Sequence, residues 1–438
     1  MALSDIKHIV FLMQENRSFD HMLGFLRRVE GRLDIDGLTG TESNTLTSAG
    51  NVSVPVARLS STRFPFSPDH RRAAVTRQIA DGKMTGFVNS FHEHHPEADP
   101  QLVMGFYDEE QVAAFAQLAA LFTVCNRWFA SHSGPTFPNR FCAVAGRTPI
   151  TDNFDVDDPQ LGYVKLKTMF DFLSDANLSW RYFEHDIGFL RMFDRFRIDD
   201  EHVVPFDDER DGFEALVSTG ELPQVTFIDP NFTDIPPLTE ANDDLAPADV
   251  RSGQQLVARI FNALRSKRAV WRGTLFVVTY DEHGGFFDHV PPPGTPEFAK
   301  RFPDLAVMEI PPVFMPDGKN PHPQAPRSLG VRVPALVISP WVPTRSVSSL
   351  VFDHTSMIRT VFEVFGNGVV PAELGPRAQQ ANHLGPLLTL EEPRLDVPEI
   401  APGSLGVPLS RPASSPSQEP DDLRLLMSRF GFPIRRQR

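Results

Sequence analysis

LFVVTYDEHGGFFDHVPPP, residues 275–293, decides the fold. An apolar run rich in β-branched and aromatic residues breaks off in two adjacent carboxylates, Asp281 and Glu282. Two glycines follow, then a second acid–histidine pair, Asp288 and His289. A short apolar run that ends this way reads as a strand of a sheet covered on both faces. Adjacent carboxylates at a strand end are commonly solvated, or they cap the next helix. Here the glycines permit close backbone approach, which favours a ligand at the strand end. A second stretch has the same design. HIVFLM (8–13) runs into QENRSFDH (14–21), placing Glu15 and Asn16 at another strand end. Open α/β sheets bind ligands at the carboxyl ends of their strands.

Further strand candidates are LSWRYF (178–183), QVTFI (224–228) and ALVIS (335–339). Helices are expected from about Asp69, from about Glu109 and over RSGQQLVARIFNALRSKR (251–268). SGPTFPNRFCAVAG (133–146) reads as a tight turn entering another helix. The alternation predicts an α/β fold with a central, mainly parallel sheet and helices on both faces. The domain is expected over 1–395, with loop-rich cap insertions around 31–68 and 285–325. A Pro/Ser-rich linker and a basic amphipathic tail should follow over 396–438.

Composition narrows the function. The chain has 438 residues, 41% hydrophobic and 22% charged, which is the range of a soluble globular protein. A net charge of −14 argues against nucleic acid as a partner. Cys125 and Cys142 form no CxxC, so zinc is not expected and both read as buried apolar side chains. HEHHPE (92–97) looks like a metal cluster but reads as a polar loop. No run is long enough to span a bilayer, and the N-terminus lacks a signal-peptide pattern. As written the chain is expected in the cytoplasm, with secretion by another route left open. In the tail, Leu423, Leu426, Met427 and Phe430 fall at helical spacing among arginines, an arrangement suited to peripheral membrane contact.

Glu15, Asn16, Asp281 and Glu282 form an oxygen-donor set that suits one hard divalent cation, Ca²⁺, Mg²⁺ or Mn²⁺. Such an ion would polarise a phosphoryl oxygen and acidify a neighbouring hydroxyl. Thr136 follows Pro135 at the start of a predicted helix, where free N–H groups favour an anion. Its ordinary role there would be an N-cap. Arg140, one turn on and next to Asn139, could clasp phosphate oxygens. His185, in RYFEHD after a strand, is either a proton donor or an unremarkable histidine.

ENRSFDH, TFPNR, DEHGGFFDHV and GVRVPALVISPW, in this order, resemble the bacterial and plant phosphoesterase family over roughly residues 6–365. That family contains non-specific phospholipases C and acid phosphatases, and its core resembles alkaline phosphatase. The resemblance implies that Glu15, Asn16, Thr136, Asp281 and Glu282 bind one metal. It also implies that Thr136 forms a phospho-enzyme. SPDHRRAAVTRQI (67–79) resembles a family segment that makes His70 a phosphate contact. His289 and His354 (in FDHTS) fall in motif positions. The expected catalytic set is therefore Thr136, His70, Arg140 and His289, with Asn139, His185 and His354 as further substrate or phosphate contacts. One position departs: NDDLAP (242–247) has Leu245 where the family often has a histidine. The implied reaction is phospholipase C-type hydrolysis of glycerophospholipid to diacylglycerol and phosphorylated headgroup. A broad acid phosphatase is the alternative, and Leu245 keeps open a non-catalytic member that binds phospholipid or a protein partner.

Overall fold

The computed structural model describes residues 2–29, 31–153, 164–186, 188–199, 201–232, 241–305, 310–313 and 328–403. The tail from 404 onward, with its expected membrane stripe, lies outside these residues, as does much of the 285–325 insertion.

Eight strands form the central sheet: β1 (His8–Gln14), β2 (Thr123–Cys125), β3 (Trp180–Glu184), β4 (Val203–Pro205), β5 (Val225–Ile228), β6 (Thr274–Tyr280), β7 (Ala335–Ile338) and β8 (Val347–Ser348). Their order from edge to edge is β8-β2-β7-β6-β1-β5-β3-β4. β1 is central and pairs in parallel with β5 through Ile9–Val225 and with β6 through His8–Thr274. β7 alone runs against its neighbours β6 and β2. The expected mainly parallel α/β architecture is therefore observed, with ALVIS as the one reversed strand. Every residue of β5, β6 and β7 is buried, which explains their unbroken apolar character. The short strands β2, β4 and β8 carry too few residues to show a period.

The helices that matter for the site are α1 (Arg72–Ile79), α2 (Phe87–His94), α3 (Ala113–Leu121), α4 (Thr136–Ala145), α5 (Val250–Ser266) and α6 (Thr355–Phe365). α1 and α3 begin later than Asp69 and Glu109. Asp69 Oδ1 accepts from Arg71 N at 3.0 Å, and Asp108 Oδ1 accepts from Glu110 N and Gln111 N, each at 3.2 Å. Such local turns compete with helix. The HEHHPE segment corrects another expectation. His92 and His94 end α2, because Phe87, Val88 and Phe91 give that stretch a buried helical face. His95 donates from Nε2 to Ser67 O at 2.8 Å.

α4 is buried along its whole length. Phe137 and Phe141 pack on Phe189 at 5.9 and 5.0 Å between ring centroids. The helix ends on Gly146 at φ +69°, where a Cβ would sit 1.9 Å from Leu374 O. Residues 397–401 lie against α5 and α3: Asn262 and Arg265 donate to Ile400 O and Val397 O, and Gln117 to Ala401 O. No helix among the described residues is long and apolar enough to cross a membrane.

Candidate active site

The carboxyl ends of β1 and β6 lie side by side, and the chain after each is pinned to the other. Asn16 N donates to Asp281 Oδ1 at 3.0 Å, and Asp281 N to Gln14 O at 3.1 Å. Asn16 sits at φ +56°, a strained conformation that asparagine tolerates better than most residues. Gly284 follows at φ +63°, and a Cβ there would meet Asn16 O at 2.1 Å. Only glycine permits this closeness.

α4 delivers Thr136 to the same place. Pro135 takes the N-cap position, so the Thr136 side chain does not cap its helix. Its hydroxyl instead lies 3.2 Å from Glu15 Oε2 and 3.3 Å from Asn16 Oδ1. The loop before it is held by Asn139. That amide accepts from His132 N and donates to His132 O, Gly134 O and Pro135 O at 2.9–3.2 Å. Asn139 thus braces the turn; its bonds run to the chain and not toward a substrate, contrary to expectation.

Arg140 corrects a second expectation. It is buried beneath the strand ends. It donates from Nε to Glu15 Oε1 (2.7 Å), from Nη1 to Asp229 Oδ1 (2.9 Å) and from Nη2 to Met13 O (3.0 Å). Burial alone would lower its pKa, but Glu15, Asp229 and Asp281 outweigh that and raise it. A guanidinium so placed orients Glu15 and is not a phosphate clasp. Asp229, at the end of β5, also accepts from Tyr182 Oη at 2.5 Å and Phe189 N at 2.7 Å.

Three carboxylates face that one guanidinium, Glu15, Asp229 and Asp281, and Glu282 lies beside Asp281. Burial pushes Glu15 well above the usual carboxylate range, with Arg140 opposing and Asp281 adding to the rise. Burial pushes Asp281 up to about 6, again against Arg140. Asp281 Oδ2 and Glu282 Oε1 are buried without a hydrogen-bond partner. A buried oxygen left in this way costs free energy unless something binds it. Unpartnered oxygens, an excess of negative charge and an all-oxygen donor set fit a divalent cation. Glu15, Asn16, Thr136, Asp281 and Glu282 would hold it.

His70 lies at the edge of this group. Its Nδ1 donates to Pro68 O at 2.8 Å, so Nε2 faces inward, 3.5 Å from Asn16 Nδ2 and 4.0 Å from Glu282 Oε1. His354 is buried behind Asp281. Trp128 Nε1 donates to its Nδ1 at 3.3 Å, so Nε2–H donates to Asp281 O at 2.6 Å. Burial lowers its pKa to about 4. Both ring nitrogens are therefore engaged by protein, and His354 supports Asp281 where a phosphate contact was expected.

His185 and His289 make no hydrogen bond to Thr136, Glu15, Asn16, Asp281 or Glu282. His185 donates from Nδ1 to Asp229 O at 2.8 Å and stacks on Phe206 at 4.4 Å, toward the β4 edge. His289 bonds Asp20 Oδ2 at 2.6 Å and Asp36 Oδ1 at 3.3 Å. Asp20, Asp288 and His289 bring three ligand atoms within 4.8 Å of one another, a spacing a metal could use. Arg332, however, already donates to Asp288 Oδ1 at 3.1 Å and to Asp20 Oδ1 at 2.9 Å. The internal cation makes this second cluster the weaker metal candidate.

The loop bearing Leu245 borders the first cluster. Glu15 N donates to Asp243 O at 2.8 Å, and Leu245 N to Asp243 Oδ1 at 3.0 Å. Arg17 donates to Asp244 O at 2.6–2.9 Å, and Tyr280 Oη to Asp244 Oδ2 at 2.5 Å. Asp229, Asp244, Tyr182 and Arg17 escaped sequence reading. The one signal was that QVTFI, like β1 and β6, is followed directly by an acid.

A threonine hydroxyl facing carboxylates and an amide at the ends of parallel strands is an arrangement suited to a hydrolase of phosphoric esters. The comparisons sharpen this. The chain belongs to the phosphoesterase family, which it matches over residues 6–369, and it is a phosphoric ester hydrolase. It is 31% identical to non-specific phospholipase C3 of Arabidopsis thaliana over 443 residues, covering 96% of this chain and 80% of that one. Phospholipase C B of Mycobacterium tuberculosis is 30% identical over 413 residues, covering 83% and 74%. Among solved structures, a protein of the alkaline phosphatase superfamily from Vibrio parahaemolyticus matches with TM-score 0.37 and 12% identity, covering 86% and 70%.

Proposed function

We propose that this enzyme is a divalent-cation-dependent phospholipase C-type hydrolase that works through phospho-Thr136. The observation that carries the reading is the Thr136 hydroxyl against Glu15 and Asn16, beside the unpartnered Asp281 Oδ2 and Glu282 Oε1. A cation bound by these five residues would draw charge from a phosphoryl oxygen and make the threonine hydroxyl more acidic. Thr136 Oγ attacks phosphorus in line with the departing diacylglycerol, giving a phosphate ester of Thr136 that still carries the headgroup, and the proton lost by the threonine is balanced by the one the alcohol gains. Water then cleaves that ester and releases the phosphorylated headgroup. The start of α4 offers partial positive charge to the incoming phosphate. Arg140 keeps Glu15 in place from below, and His354 does the same for the Asp281 backbone. His70 Nε2 faces the group and is the histidine placed to meet a phosphate oxygen or the leaving group.

The relatives named as phospholipases C support a glycerophospholipid substrate. The test is a side-by-side assay of p-nitrophenyl phosphate, its phosphorylcholine diester and phosphatidylcholine vesicles, with and without chelator. Diacylglycerol release that disappears with chelator and returns with Ca²⁺, Mg²⁺ or Mn²⁺ is expected. Turnover of the monoester alone would replace this reading with an acid phosphatase. Full activity in chelator would remove the metal.

A further inference from the structure

Gln78, on the buried face of α1, is joined to the site by a single hydrogen bond. Its amide nitrogen donates to Asp69 O at 2.7 Å and to Ser90 Oγ at 3.2 Å. A carbonyl oxygen only accepts, so this contact fixes which end of the amide is nitrogen. Gln78 Oε1 must therefore accept, and the atom it faces is His283 Nε2 at 2.8 Å. That bond puts a proton on Nε2 and anchors the ring, while Nδ1 lies 3.1 Å from Glu282 Oε2 without hydrogen-bonding it. Gly284 N donates to the same Oε2 at 2.9 Å. One oxygen of Glu282 is thus held by protein, while Oε1 is left as the buried oxygen without a partner. The packing admits no slack. A Cβ on Gly285 would lie 2.8 Å from Pro68 Cβ and 3.0 Å from Asp69 O, and Phe87 packs edge-on against the His283 ring at 6.0 Å.

We propose that Gln78 is a positioning residue for the cation site: by holding His283 and Asp69 O together it fixes the Glu282–Gly284 turn, in which Gly284 N occupies Oε2 and Oε1 is presented to the ion. The same amide holds Asp69 O, next to His70, so one side chain ties a donor and the inward-facing histidine to a common anchor. Groups that orient ligands from behind commonly change metal affinity when removed, by about 10–100-fold. The inference rests on the cation reading above, and the experiment separates the two.

Metal-free full-length enzyme is titrated with MnCl₂ by calorimetry, alongside thermal melts. Gln78→Met keeps the bulk and removes the acceptor; its Mn²⁺ affinity should fall about 10–100-fold. Turnover should return toward wild type at saturating Mn²⁺, a recovery that a merely distorted core would not show. Ser90→Ala removes only the amide's other partner and should leave affinity within about twofold, well inside that range. Folded Gln78→Met with wild-type Mn²⁺ affinity overturns the proposal. If Gln78→Met does not fold, His283→Gln decides: weakened binding supports the relay and unchanged binding overturns it. A wild-type protein that binds no Mn²⁺ removes the cation reading, and the relay falls with it.

Discussion

Two buried acidic clusters are built from the same two stretches of chain, a few residues apart, and they differ in what balances their charge. Around Arg332 the carboxylates of Asp20, Asp288 and Asp36 meet the guanidinium, His289 and Arg301. Around Arg140 three carboxylates meet one guanidinium with Glu282 beside them, and Asp281 Oδ2 and Glu282 Oε1 have no hydrogen-bond partner. A cluster neutralised from within acts as a clamp between loops, since its bonds are satisfied without a ligand. A cluster with unfilled oxygens is stable only as part of something else. Motifs alone do not separate these cases, because ENRSFDH and DEHGGFFDHV supply residues to both.

The sharpest way to break the comparison is at Thr136. Thr136→Ala should cut turnover more than about a thousandfold with the fold intact, since it removes a nucleophile and one oxygen donor together. Thr136→Ser keeps a hydroxyl and should retain measurable activity. Near-wild-type rates for the alanine variant would end the assignment.

Exchanging perturbations between the clusters sharpens it further. Arg332→Met leaves Asp20 and Asp288 buried without their cation and should cost about 3–5 kcal/mol of stability. Folded Arg332→Met should still hold metal at wild-type stoichiometry. Asp281→Asn or Glu282→Gln should do the reverse, lowering metal content and rate. Without metal, Asp281→Asn should melt no lower than wild type, because burial already pushes that carboxyl up to about 6. Elemental analysis and melting curves on the same preparations decide it. Metal lost from Arg332→Met but kept in Asp281→Asn would exchange the two roles.

A smaller effect should appear with pH. Burial would lower the pKa of His289, yet Asp20 and Asp36 raise it to about 9 from an ordinary 6.5. A raised histidine contributes stability that is fully present below the unfolded value and is lost as pH climbs through the folded one. Its contribution should be whole below about pH 6.5 and fade toward pH 9. With one pKa unit equal to about 1.36 kcal/mol, it amounts to at most about 3 kcal/mol. His289→Gln should flatten that part of the stability–pH curve; equal slopes in the two proteins would show that the Asp20 pair does not titrate there.

The sheet was legible because its central strands are unbroken apolar runs, and the gathering of Glu15, Asn16, Asp281 and Glu282 was legible because those runs stop abruptly. Arg140, Asn139 and His354 were misjudged for a common reason. A sequence shows which polar residues lie near a site, but not whether their hydrogen bonds turn inward. Arg140 sits one helical turn from Thr136, as the spacing promised, yet buried carboxylates engage it from the other side. The turns at Asp69 and Asp108 shortened two helices because side-chain acceptors there compete with the helix for backbone N–H groups.

Leu245 offers the finest test, because it asks whether this site lacks a proton donor. The residue is half-buried, and its loop is fastened to the cluster through Asp243 O, which accepts from Glu15 N at 2.8 Å. Arg17 and Tyr280 hold the next residue, Asp244, from two sides, so a substituted side chain would start from a well-defined backbone. An alcohol such as diacylglycerol leaves poorly unless protonated, whereas p-nitrophenolate leaves unaided. Leu245→His should therefore raise turnover of phosphatidylcholine while leaving the p-nitrophenyl diester nearly unchanged. The gain should be about tenfold, short of the roughly 10²–10⁴ that a fully positioned general acid provides. If both substrates respond equally, or neither does, protonation of the leaving group is not limiting at position 245, and His70, whose Nε2 already faces Asn16 and Glu282, becomes the residue to test for that role.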